Sequence, residues 1–435
     1  MVQNRSLRTR QRIHEGAVSV LAEGGVAGLT HRAVAATAGV SLAATTYHFE
    51  SKTDIIASAS RHLMSGYLDA FARLERRVSA GEATGLARVD DLVIRVVLNA
   101  LGRERTRSLA WCELILHGGR GDAGRLLAQG WYARLDEIWH AIGENLGFGH
   151  DRSAARAAID RAIGLTFLLH PLGLEQEAAR DFIEGRLDPA QLGPPAPTPD
   201  DDAVPASARH RETRERIVQA TIDILVESGA GAVSWAAIAQ RAGLARSGPA
   251  YYFPAIGALL ATAQVALFDR AKARYRAGFG AIDPAGIDEV RLVDLTTAIW
   301  FREVLEHARE ALGHYAVFLR AAQAPGESVA LRAALAATLR DQHGAWRRRL
   351  AAIAAVPPHP AGPLAVQALF VGKLIRAAAT GADTALLALA REDFAAAIAG
   401  AIRPEKPYAH PKPACQPGPP GLAEQSEAPL RGTEP

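Results

Sequence analysis

Apolar residues recur at three- and four-residue steps along most of this chain, and strand-like alternation is nearly absent. That period predicts helices that each bury one face. Near the N-terminus Ile13, Ala17 and Leu21 fall at four-residue spacing, which gives a first helix its apolar stripe. Gly24-Gly25 ends it, because glycine takes the left-handed cap conformation without steric cost. Thr30 is placed to cap a short second helix over His31 to Ala38, whose Val34 and Ala35 face inward. Gly39 supplies a tight turn and Val40 packs back on the first helix. Ser41 caps a third helix, Leu42 to His48, which Phe49 anchors to the core. Ser51 and Asp54 have the capping-box spacing that opens a fourth helix.

The same layout returns further along. Residues 213–253 (TRERIVQATIDILVESGAGAVSWAAIAQRAGLARSGPAYYF) align without a gap to residues 9–49, 204 positions earlier, and thirteen of the 41 positions are identical. Chance would give roughly three or four, so the sequence reads as an internal duplication. Weaker echoes follow. Ala110-Trp111-Cys112-Glu113-Leu114 aligns with Ala316-Val317-Phe318-Leu319-Arg320, and Trp139 falls near the place of Trp346. The segments 159–169 (IDRAIGLTFLL) and 366–375 (VQALFVGKLI) are apolar nearly all round, with Gly164 opposite Gly372. They are either ordinary core helices or an interface between two repeats, built as a four-helix bundle in which each glycine admits the other helix.

At 435 residues the chain is long enough for two or three domains. Two proline-rich stretches divide it: Pro189 to Ser207, which contains PPAPTPDDDAVPAS, and the segment from Arg403 onward. The first is predicted to be an extended linker and the second a disordered tail. The expected organisation is all-α, in two tandem units, each a three-helix helix-turn-helix head followed by a helical domain. The expected boundaries are 6–66 and 67–188 for the first unit, 189–208 for the linker, 209–269 and 270–402 for the second unit, and 403–435 for the tail.

A net charge of +3 is modest for a nucleic-acid binder, so any basic surface must be local. Cys112 and Cys415 lie in different regions, which argues against a disulfide framework and for a reducing cytoplasm. No apolar run is expected to span a membrane. Arg5, Arg8, Arg10 and Arg12 precede no apolar segment of the kind a signal peptide needs. Histidines at metal-ligand spacing, phosphate loops, dinucleotide fingerprints and nucleophile elbows are all missing, so neither a metal, nor a cofactor, nor an enzyme is expected.

The first head carries the more informative chemistry. Ser41, Leu42, Ala43, Ala44, Thr45 and Thr46 give its third helix a small, hydroxyl-bearing surface that can enter a major groove and meet base edges and thymine methyls. Thr30, His31 and Arg32 open the second helix beside it. Tyr47, His48, Lys52 and the N-terminal arginines are suited to phosphate oxygens. Periodicity alone leaves open a generic helical turn with solvated arginines. The run Thr30-His-Arg-Ala-Val-Ala-Ala-Thr-Ala-Gly39-Val-Ser41-Leu-Ala-Ala-Thr-Thr-Tyr47-His-Phe49-Glu-Ser51-Lys52 resembles the N-terminal domain of the TetR/AcrR family of bacterial transcriptional regulators, over about Arg8 to Ser65. One departure is Thr46, where many members have tyrosine. The resemblance implies a homodimeric, all-helical repressor of a DNA operator. Its C-terminal domain would supply a small-molecule pocket and a dimerising helix pair.

The second head keeps the frame in Gly243, Leu244, Tyr251 and Phe253 and changes the contacts. Ala245 replaces Ser41, Ile256 replaces Lys52, Trp235 replaces His31 and Ala236 replaces Arg32. Proline belongs only in a helix's first turn, so Pro249 predicts a late start with Ser247 as cap and a short remnant to Tyr252. Candidate contacts there are Ser234, Arg246, Ser247, Tyr251 and Tyr252. Trp111, Glu113, Trp131, Tyr132 and Trp139 in the first block, and Trp300, Phe301, Tyr315 and Phe318 in the second, either line pockets or are plain core. Two functions stay open. One is a ligand-responsive repressor acting on double-stranded DNA as an intrachain pseudo-dimer, with further homodimerisation possible in principle. The other is a sensing or protein-interaction module whose second head, or both, no longer binds DNA. The effector of the first is unidentified.

Overall fold

The computed structural model describes residues 2–82, 84–145, 152–192, 207–280, 287–324, 329–382 and 384–403. These residues are all-α, with no strand among them. The first nine helices are α1 (Val2–Gly28), α2 (His31–Ala38), α3 (Leu42–His48), α4 (Lys52–Ser79), α5 (Val89–Leu101), α6 (Arg105–Gly118), α7 (Asp122–Asn145), α8 (Arg152–Leu169) and α9 (Gln176–Ile183). The other nine are α10 (Ala208–Ser228), α11 (Trp235–Ala242), α12 (Gly248–Tyr252), α13 (Ile256–Gly280), α14 (Glu289–Glu306), α15 (Ala308–Gln323), α16 (Val329–Ile353), α17 (Gly362–Thr380) and α18 (Thr384–Ile402). One continuous apolar core runs from Ile13 in α1 to Phe394 in α18, with a smaller cluster around Trp346, Val366 and Ile398.

The two apolar glycine segments are α8 and α17, and they pack directly on each other. Their backbones approach so closely that a Cβ on Gly164 would overlap the carbonyl oxygen of Ala368, and one on Gly372 that of Asp160. Glycine is required at both places by space. The interface is wider than the expected four-helix bundle, because α6 and α7 also pack on α17, and α6 on α15. α17 corrects a second expectation: it is long and apolar enough to cross a membrane by length and composition, but 89% of that window is buried within the protein.

Charge is buried in this interface. Asp160 of α8 is fully buried, and Arg376 and Lys373 of α17 are each 3% exposed. Arg376 Nε donates to Asp160 Oδ1 at 2.6 Å, and its other nitrogens bind both Asp136 oxygens of α7 at 2.9 and 3.0 Å. Its guanidinium lies 4.4 Å from the centre of the Tyr132 ring. Burial opposes the charge on Arg376, but Asp160 and Asp136 outweigh it and hold the pKa above the usual value. Lys373 Nζ stands 3.6 Å from Asp160 and pairs with Asp393 of α18, which in turn accepts from Ser153 at 2.7 Å and lies 3.5 Å from Arg156.

The expected linker begins as folded structure. Asp188 caps a single turn at Pro189–Gln191, and Leu192 is fully buried, its carbonyl accepting from Arg340. Residues 193–206 of the linker, and 404–435 of the tail with Cys415, lie outside the described residues.

Two outcomes test this packing. Gly372→Ala must push α8 and α17 apart, at a cost of about 1–3 kcal/mol, whereas Gly130→Ala on α7 meets nothing within 4 Å and is expected to stabilise by up to about 1 kcal/mol. Denaturant midpoints of the two variants should move in opposite directions. Buried histidines set the pH response. Burial lowers His14 to about 4, His170 to about 3 and His314 to about 4. Arg105 can only donate, so Nδ1 of His170 accepts from it at 3.2 Å and Nε2–H donates to Ser108 at 2.9 Å. The unfolded chain takes up protons below pH 6.5 that the folded chain refuses. Stability is therefore full above 6.5 and falls as pH drops towards 4. Unfolding free energies across that window should decline less steeply in His170→Gln.

Candidate functional site

The first head is built from α1 to α4. Thr30 accepts from the backbone N–H of Ala33 at 3.1 Å and starts α2, and Gly39 ends it in the left-handed conformation (φ 61°, ψ 38°). Ser41 accepts from Ala44 N–H at 3.1 Å and starts α3. At the head of α4, Asp54 N–H donates to Ser51 Oγ at 3.2 Å and Ser51 N–H to Asp54 Oδ2 at 2.9 Å, the capping box expected from sequence. Ile13, Leu21, Val34 and Ile55 close the core beneath, each at most 1% exposed.

This frame presents Ser41, Leu42, Ala43, Thr46 and Tyr47 outward, with Tyr47 84% exposed and Leu42 46%. Thr30 and Arg32 are exposed beside them, and His31 and His48 are half-buried. Thr45 is a correction. It is fully buried, and its hydroxyl donates to the Leu42 carbonyl one turn back in α3 at 2.7 Å, so it cannot read a base. The arginines also differ from expectation, because they lie on α1 itself rather than ahead of it. Arg12 donates from Nε to the Ala38 carbonyl at 3.1 Å, and from Nη2 to Gly39, so it satisfies the end of α2 instead of a phosphate. Lys52 is half-buried, and burial lowers its pKa. Its charge helps keep His117 of α6 neutral, after burial and Arg120.

The second candidate surface lies on α10 to α13. Ser234 caps α11 by accepting from Ala237 N–H at 3.3 Å, and Gly243 ends it at φ 66°, ψ 38°, nearly the angles of Gly39. α12 is five residues long. Ser247 precedes it but makes no side-chain cap bond, contrary to expectation; the turn is closed by Gly248 N–H to the Ala245 carbonyl at 2.8 Å. Pro249 is buried at the position aligned with Thr45, so a ring fills the space that the threonine methyl and hydroxyl fill in the first head. Tyr251 is 81% exposed, like Tyr47, and is no core anchor. Tyr252 packs against His210 with the rings tilted and their centres 4.7 Å apart, and its carbonyl accepts from Arg214. Arg246 and Ser247 are exposed.

Sequence reasoning missed how α6 holds the first head. α1 bends at Gly25, whose φ of 62° exposes the next backbone N–H, and Val26 N–H donates to Glu113 Oε1 of α6 at 3.1 Å. A side chain at Gly25 would collide with that carboxylate. Burial raises the pKa of Glu113, opposed by the Val26 hydrogen bond and by Arg120. Arg120 also lies under Gly229, the corner after α10, and Ala27 packs on Gly231 of the following turn.

The same α6 walls a cavity of about 520 Å³ lined by α4 to α8. Trp111, Trp131 and Trp139 line it, the pocket alternative that the sequence left open for the first-block aromatics, while Tyr132 and Glu113 do not. Trp111 meets Trp131 edge-on at 6.1 Å and Phe71 meets Trp139 at 6.0 Å.

Residues 13–59 match the family model for bacterial regulatory proteins of the tetR family. Two solved structures of the multidrug binding protein EbrR, one complexed with imidazole and one with ethidium, are 30% and 31% identical to this chain. They align with 40% of it and with 91% and 95% of their own lengths, at TM-scores of 0.32 and 0.31. A TetR-family member from Streptomyces coelicolor is 31% identical over 40% of this chain and 95% of its own, at a TM-score of 0.32. No curated protein matches the chain. With the family's DNA-binding module on residues 13–59 and a family member matched at 31% identity along nearly its whole length, this chain belongs to the TetR family of DNA-binding transcriptional regulators.

Proposed function

We propose that the chain is a cytoplasmic, ligand-responsive repressor in which two TetR-like units in tandem act as one covalent pseudo-dimer. The units are a head at 6–66 with a helical domain at 67–188, and a head at 209–269 with a helical domain at 270–402, joined by the segment 189–208. The observation that carries this reading is the pairing of Asp160 and Asp136 with Arg376 across α8 and α17. Opposite charges stand at positions 216 residues apart in one chain, which supports an arrangement in which the partner that a dimeric family member takes from a second molecule would be supplied internally. Exposed Thr30, Arg32, Ser41, Leu42, Ala43, Thr46 and Tyr47 would meet the operator, with Lys52 and His48 near its phosphates. Ser234, Arg246, Ser247 and Tyr251 would do so on the second side.

A second reading keeps only the first head on DNA. It is favoured by the five-residue α12 with its uncapped start, and by Ile256 where the first head has Lys52.

The cavity would receive the effector. Trp111 in its wall precedes Glu113 by two residues on α6, so a ligand that displaces Trp111 moves the carboxylate that fixes the bend of α1. That shift would re-aim α3 and lower operator affinity.

Selection of bound duplexes by the full-length chain, with sedimentation of the complex, tests the first part. One chain per site is expected, on a site with one well-defined half and one degenerate half, because Leu42-Ala43 and Arg246-Ser247 offer different groups to base edges. Tyr47→Ala should weaken binding to selected and random duplexes alike, since phosphate contacts carry no base identity. A perfect palindrome occupied by two chains would overturn the pseudo-dimer. For the second part, Glu113→Gln retains an acceptor for Val26 N–H and should keep the response of DNA affinity to ligand. Glu113→Leu should abolish that response and loosen the head, read as faster amide exchange in α1 and α2. Equal behaviour of the two variants counts against the route through α6.

A further inference from the structure

The cavity beside α6 has charge of predominantly one sign. Its charged lining comprises five arginines, at 73, 77, 95, 103 and 107, against Asp69 and Glu104. Two of the arginines are already engaged: Arg77 donates to Glu82 at 2.7 Å and Arg95 to the Thr84 carbonyl at 3.0 Å. Arg107 differs. It is half-buried over Gly66, where a side chain would overlap its guanidinium, and the carboxylate it faces, Glu104, is 3.9 Å away. That separation is beyond hydrogen-bonding distance. The inner wall is aromatic. Trp131 Nε1 donates to Ser60 at 2.8 Å, but Trp111, only 7% exposed, has no partner for its Nε1–H. A buried donor left unpaired costs free energy that a bound acceptor would recover.

We propose that this cavity takes an amphipathic organic anion. A flat apolar or aromatic body lies against Trp111, Trp131 and Trp139, an acceptor on it pairs with Trp111 Nε1–H, and a carboxylate, sulfonate or phosphate is held by Arg107. The guanidinium fork matches such groups in geometry as well as charge. The apolar walls strengthen the attraction, and they strengthen equally the rejection of cations. The inference rests on the reading of the cavity as the effector site and adds the ligand's class.

Fluorescence titration of the full-length chain with three probes tests it: 8-anilino-1-naphthalenesulfonate, the uncharged N-phenyl-1-naphthylamine, and ethidium as an aromatic cation. The sulfonate should bind once per chain, at least about tenfold tighter than the amine, the worth of one charge-assisted hydrogen bond. Arg107→Met should erase that preference while leaving the amine's affinity alone, Arg107→Lys should restore part of it, and Trp111→Phe should weaken both naphthalene probes. Tighter binding of ethidium, or a sulfonate affinity indifferent to Arg107→Met and Trp111→Phe, overturns the proposal. Release of a selected duplex is read separately. If the sulfonate binds through Arg107 and leaves DNA affinity unchanged, the ligand class stands and the effector reading falls. If an uncharged or cationic ligand releases DNA through Trp111, the effector reading stands and the ligand class falls.

Discussion

The close passage of α8 over α17 is the constraint on which the rest of this molecule depends. Two glycines remove the side chains that would hold these helices apart, and Asp160, Lys373 and Arg376 are sealed in as a result. Buried ion pairs add little net stability over apolar packing, because desolvation offsets most of the attraction. Leaving one member unpaired is different and costs about 3–5 kcal/mol. The network therefore acts as a choice of partner more than as a source of stability. A second α8 in the same register would put Gly164 and Leu168 where Gly372 and Arg376 stand and leave Asp160 unpaired, and a second α17 would put Ala368 where Asp160 stands and leave Lys373 and Arg376 unpaired. Only the mixed pair neutralises the charges, and both members of that pair are in one chain.

From that interface the organisation passes to α6. Its C-terminal glycines, Gly118 and Gly119, pack against the carbonyls of Ala379 and Ala378 at the end of α17. Its middle carries Trp111 into the cavity and Glu113 to the backbone of α1. Its last turn is followed by Arg120, under the corner at Gly229. A rigid helix that touches the central interface, the cavity wall and both bends cannot shift at one place alone. This is why an effector in the cavity is expected to reach the DNA surface through α6 and not through the longer α4.

Much of the first head was legible in the sequence, because its signals are local. Caps at Thr30, Ser41 and Ser51, the left-handed Gly39 and the buried Val34 each depend on neighbours within four residues. The function of a side chain within that frame was less legible. Thr45 reads as one more hydroxyl on an exposed helix, yet one residue of rotation turns it into the core, where its hydroxyl must bond the Leu42 carbonyl. Arg12 reads as a free cation, but lies one helix away from an unsatisfied carbonyl pair at Ala38 and Gly39. The charge network was illegible for a different reason. Asp160 and Arg376 look like ordinary interruptions of apolar helices, and only the fold brings them together. The same holds for Glu113, whose use depends on a bend at Gly25 that the sequence marked merely as a helix end.

A covalent pair is free to diverge in ways that a symmetric dimer is not. In a homodimer any change to a dimerising helix appears on both sides of the axis, so an Asp–Arg pair on one side only is unavailable. On the tandem reading, the two halves have used that freedom three times: in the charges of α8 and α17, in Pro249 against Thr45, and in the helical domains. Where α4 to α8 leave arginines facing a cavity, the later helices α13 to α15 bring Arg274 to Glu303 at 2.8 and 2.9 Å and to Glu310 at 2.9 Å. Glu303 is only 2% exposed, so this cluster is a buried, internally neutralised strut. A site whose cation is already matched by two carboxylates has little attraction left for an anionic ligand. On the proposed reading, charge favours the first half for ligand sensing, beside the head with the longer α3.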